Sequence, residues 1–115
     1  MSVLTHDRQV IYIYLPCLPV RRLTRLHGWP EQGKTALYQR DKGADRLLYL
    51  SAEAQEGGLT TGMSVADARA RFPDIRLAPV DHDGDHALLT ALARWAFRFS
   101  PVVGVDATGL GLWID

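Results

Sequence analysis

A single cysteine, Cys17, stands in 115 residues. It excludes an internal disulfide and any zinc centre built on two thiolates, and it fits a reducing compartment. Charge of one sign is also missing, because 13 Lys+Arg balance 13 Asp+Glu. No global basic field therefore draws nucleic acid or an anionic membrane to the surface. Long hydrophobic runs are absent as well. The most apolar stretch, 10–20, is broken by Pro16 and Pro19 and is too short to span a bilayer. Residues 1–8 lack the apolar run of a signal peptide. A cytoplasmic chain without a membrane partner is expected. What is present is ordinary for a globular protein, with 47% apolar and 23% charged residues, enough for one domain or a piece of one.

Local patterns give an α+β order. Residues 10–15 are β-branched and aromatic and read as a buried strand ended by Pro16. Val20, Leu23 and Leu26 recur at helical spacing up to the stop signals Gly28 and Pro30. Strands are expected at 35–38 and 46–50, joined by a turn over 41–45. Residues 51–56 suggest a helical turn ended by Gly57 and Gly58. Ser64 followed by Asp67 resembles a capping box for a helix reaching Pro73. Residues 75–80 alternate like a half-exposed strand. Leu88, Leu92, Trp95 and Phe99 fall at i, i+4, i+7 and i+11 and predict a helix buried along that stripe. Strands at 102–105 and 110–114 close the pattern. The last runs to the final residue, so a fragment truncated at its C-terminus is expected.

Several motifs carry candidate chemistry. Gly28 to Thr35 matches G-x-x-x-x-G-K-[ST] at every fixed position, with Lys34 and Thr35 as the phosphate and metal contacts. A phosphate-cradling loop belongs between a strand and a helix, whereas here a helix precedes and a strand follows. Residues 81–86, Asp-His-Asp-Gly-Asp-His, resemble a metal cluster, but the glycine is misplaced for a calcium loop; a solvated turn capping the next helix is favoured. Arg21, Arg22 and Arg25 are candidate phosphate or partner contacts, with a solvated helix face as the favoured account. Cys17 reads as structural, with no histidine near it in sequence.

A resemblance covers most of the chain. Gly58 to Asp74, with Gly62-Met63 and then Ser64-Val65-Ala66-Asp67-Ala68-Arg69, resembles the fingers segment of Y-family translesion DNA polymerases. The strand 11–15, the turn at Ser100-Pro101 and the ending Trp113-Ile114-Asp115 resemble that family's palm. The resemblance implies a palm sheet with helices, from 1–20 and 80–115, and a small fingers subdomain over 21–79. It also implies where metal-binding acids should stand, and there the chain carries Tyr14, Pro16, Leu110 and Gly111. The family's triphosphate contacts correspond to Ala52 and Gln55, and its gate against ribonucleotides to Pro19. None of these side chains is a carboxylate or a cation. Two-metal phosphoryl transfer needs clustered carboxylates, and magnesium is a hard ion that demands oxygen ligands. Tyr14 to Leu23, of the form Y-L-P-x-L-P-x-x-R-L, is similar to the inactive, ImuB-type branch of that family.

The expectation that follows is a non-catalytic scaffold in damage-induced mutagenesis and translesion synthesis, with no cofactor. A RecA-like accessory protein and an error-prone replicative-type polymerase are the partners this likeness implies. DNA contact would be weak, and a sliding clamp would be reached only through regions outside this chain. The alternatives are a small P-loop nucleotide-binding domain and a generic interaction domain.

Overall fold

The computed structural model describes residues 2–5, 11–98, 103–105 and 111–114. The elements run β1 (Ser2–Thr5), β2 (Ile11–Tyr14), α1 (Leu18–Leu26), β3 (Thr35–Asp41), β4 (Ala44–Leu50), α2 (Ala52–Glu56), α3 (Val65–Arg71), β5 (Arg76–Pro79), α4 (His82–Ala96), β6 (Val103–Val105) and β7 (Gly111–Ile114). They divide into two compact units: Met1–Leu18 with Asp81–Asp115, and Pro19–Val80 between them in sequence.

In the discontinuous unit the sheet order is β1-β2-β7-β6, with every pairing antiparallel. Ile13 and Leu112 are register partners and pack with Leu18, Leu89, Leu15, Leu92 and Val105. Because side chains alternate across a strand, Tyr12, Tyr14 and Gly111 occupy the opposite face. Strand β2 thus packs on the core through one face, and Tyr14 on the other is 36% exposed. Pro16 follows at the second position of a turn closed by Leu18 N–H donating to Leu15 O at 3.2 Å, where its fixed φ is favoured. Strand β1 was not anticipated, since four residues of mixed polarity give no periodic signal.

Helix α4 forms as expected and packs Leu92 of the expected stripe on the core, but its buried face is rotated from that stripe toward Leu89. Leu89 and Ala96 are buried, while Leu88 is 37% and Trp95 58% exposed. Leu88 and Leu89 both fit an apolar stripe, and choosing the wrong one rotates the helix by about 100°. Phe99 lies outside the described residues, as do Ser100 and Pro101.

The inserted unit is a three-stranded sheet, β4-β3-β5, in which β3 pairs antiparallel with β4 and parallel with β5. Its central strand is buried on both faces, as expected of a strand covered on each side. Ala36 joins Leu47, Ala54, Leu59 and Ala68 in one cluster; Leu37 joins Leu23 and Ala78 in another. The hairpin strands extend beyond the expected 35–38 and 46–50, because the turn needs only two residues. Lys42 and Gly43 both take positive φ, 51° and 80°, the geometry that matches strand twist in a two-residue hairpin. Ser64 caps α3 as expected, its side chain accepting from Asp67 N–H at 3.2 Å.

Candidate functional site

Strands β2 and β7 bring two of the positions singled out by resemblance face to face. Tyr14 and Gly111 are direct register partners, so a metal-binding pair on these strands would be built across that ladder. One partner is a half-exposed phenol and the other has no side chain. Pro16 is exposed in the turn beyond Tyr14, and Leu110 lies outside the described residues. Among the described residues no group of three or more His, Cys, Asp or Glu stands close enough to hold a metal ion.

The remaining positions lie in the inserted unit. Pro19 is fully buried in the first turn of α1. Ala52 and Gln55 are exposed on α2, and Gln55 Nε2 donates to the Leu50 carbonyl at 3.4 Å. An alanine and a neutral amide turned back on the backbone offer no cation for a triphosphate.

The segment Gly28 to Thr35 is not a phosphate loop. It runs from the end of α1 into β3, and its carbonyls take a cation. Arg76 Nη1 donates to Gln32 O at 3.1 Å and Pro30 O at 3.5 Å. A Cβ on Gly33 would lie 2.8 Å from that same nitrogen. Phosphate binding needs converging N–H donors, so this loop has the opposite polarity. Lys34 is spent elsewhere, its Nζ lying 4.6 Å from the Phe72 ring centroid. Thr35 is buried, and its N–H donates to Ser51 Oγ at 3.0 Å.

Ser51 is the polar hub that pattern reading treated only as the start of a helical turn. Its Oγ accepts from Thr35 N–H and from Ala54 N–H, and donates to Gly33 O at 3.0 Å. A serine before a short helix is a capping signal, but its two long-range bonds leave no local trace.

Arg21 and Arg25 are exposed and, with Val20, Thr24, Glu31 and Gln32, line a shallow depression of about 210 Å³. Arg22 is half-buried, so the three arginines do not form one face. Cys17 is exposed, which corrects its reading as a structural residue. In 81–86, Asp81 Oδ1 accepts from Gly84 N–H at 3.0 Å and caps α4. Asp85, however, is only 5% exposed, so the segment is not wholly solvated.

These two units, one antiparallel sheet backed by a helix and one mixed sheet inserted after its second strand, have the fold of the N-terminal third of solved Y-family polymerases. The match covers 92% of this chain and 31% of each solved structure. DinB from Sulfolobus solfataricus superposes with a TM-score of 0.75 at 14% identity, and a post-insertion binary complex of Dbh DNA polymerase with 0.78 at 13%. A Y-family DNA polymerase chimera of Dbh and Dpo4 gives 0.71 at 16%. In sequence, the chain is similar to Protein ImuB of Caulobacter vibrioides in two strains, 45% identical over 58 residues. That stretch is 50% of this chain and 12% of ImuB. No family model matches the chain. The chain is therefore Y-family polymerase-like in fold and ImuB-like in sequence.

Proposed function

We propose that this chain forms the palm and fingers portion of a non-catalytic polymerase-like scaffold. It acts through protein contacts in DNA-damage-induced mutagenesis, in the cytoplasm, without a bound cofactor. One observation carries the reading: the ladder that joins β2 to β7 sets Tyr14 opposite Gly111. A two-metal site stabilises attacking and leaving oxygens only if carboxylates hold both ions. A phenol and a glycine supply no carboxylate. The α2 positions, Ala52 and Gln55, likewise lack the charge to select a triphosphate.

Likeness to Protein ImuB supports the assignment to this inactive branch. The partners that follow are a RecA-like accessory protein and an error-prone replicative-type polymerase. Balanced charge accords with protein contacts above DNA contacts. Clamp docking falls to regions outside this chain. Primer extension by the full protein with Mg²⁺ or Mn²⁺ is the direct test. No incorporation above background is expected, and robust extension lost on chelation would refute the reading.

A further inference from the structure

The face of the β2–β7 ladder is more crowded at Gly111 than the loss of acids requires. A Cβ on Gly111 would lie 2.7 Å from the Ile13 carbonyl oxygen and 2.8 Å from the Tyr12 hydroxyl, with Tyr12 Cζ at 3.1 Å. Even attractive C–H···O contacts sit at about 3.3–3.6 Å. Gly111 is not among the glycines of positive φ, so the backbone conformation does not call for glycine there. Close approach does. The tyrosine end can swing aside, but the Ile13 carbonyl is part of a strand paired on both sides, with β1 and β7. Moving it disturbs a ladder, and Ile13 is also packed in the core of this unit.

We infer that the approach of Ile13 and Tyr12 onto Gly111 occupies the former metal position, so that any side chain there, acidic or otherwise, must displace the Ile13 carbonyl as well as the Tyr12 ring. The inference rests on reading Tyr14 and Gly111 as positions of a lost metal site. Its consequence is that replacing the acids does not bring the metal back. Tyr12 is the residue that fills the space, and Gly111 is the residue that permits it to do so.

Two measurements on the full protein test this. In the first, Gly111→Ala, the smallest possible intrusion, is expected to lower the melting temperature by about 5 °C or more. Adding Tyr12→Val should recover only part of the loss, because the carbonyl remains. In the second, Mn²⁺ binding is read by electron paramagnetic resonance on Tyr14→Asp/Gly111→Glu, and no stoichiometric binding is expected. A Gly111→Ala protein that melts with the parent overturns the inference. So does a double variant that keeps the parent circular dichroism and binds Mn²⁺. If the parent itself binds Mn²⁺ and extends primers, the non-catalytic reading fails as well; the two failures are told apart by which protein holds the ion.

Discussion

Ser51 ties three separated pieces of backbone to one oxygen: the loop at Gly33, the start of β3 and the first turn of α2. Two donors and one acceptor would lose their partner together on truncation. A lost N-cap alone costs about 1 kcal/mol, and each part-buried group left unpaired adds about 1–3 kcal/mol. Ser51→Ala is therefore expected to destabilise the protein by about 2–4 kcal/mol. Ser51→Thr, which keeps the oxygen, should lose much less. Urea unfolding monitored by circular dichroism checks both, read as a shift in midpoint at unchanged slope. Arg76 acts on the same loop from the other side, its guanidinium held by the carbonyls of Pro30 and Gln32. One serine and one arginine thus explain why a segment spelled like a nucleotide loop is instead a clasp. The pattern lists residue types, while function depends on which way the N–H and C=O groups point.

Among the elements, α4 shows most clearly what periodicity can and cannot decide. Its existence was legible from the apolar repeat and its capping from the acidic segment 81–86, but the helix starts at His82, inside the segment read as a turn, with Asp81 as its cap. Its buried face was not legible, because Leu88 and Leu89 offer adjacent stripes and only the sheet beneath chooses between them. The structure buries Leu89 completely and leaves Leu88 37% exposed. Leu89→Ala is expected to cost about 2–5 kcal/mol, and Leu88→Ala under 1 kcal/mol in line with ordinary surface substitutions. Thermal unfolding of the two variants side by side decides the face; equal losses would restore the stripe through Leu88. The hairpin was legible for a local reason, a turn that tolerates positive φ at Lys42 and Gly43. Strand β1 was not, because its pairing with β2 is set by partners and not by its own four residues. The candidate site divides the same way. Tyr14 and Gly111 were found only by likeness to a family, since nothing in either segment announces the other. The closeness of Tyr12 to Gly111 had no sequence signal at all.

For the molecule as a whole, the decisive fact is that one unit is continuous in sequence and the other is not. Pro19–Val80 owns a complete sheet with a cluster on each face. The unit that carries β2 and β7 must instead join two stretches of chain that the insertion separates. Closing so long a loop costs entropy that only the finished sheet returns, so the inserted unit is expected to be a cooperative unit of its own. Leu47, 1% exposed in the inserted core, provides the handle. Leu47→Ala should cost about 2–5 kcal/mol, felt first as faster amide exchange across β3, β4, α2 and α3. Amides of α4 and of the β2–β7 ladder should keep their protection in the same protein. Native-state hydrogen exchange read by mass spectrometry distinguishes the outcomes. Protection lost equally in both units would mean that they open as one. Confined loss would mean that the inserted unit can open without disturbing the strands that carry Tyr14 and Gly111.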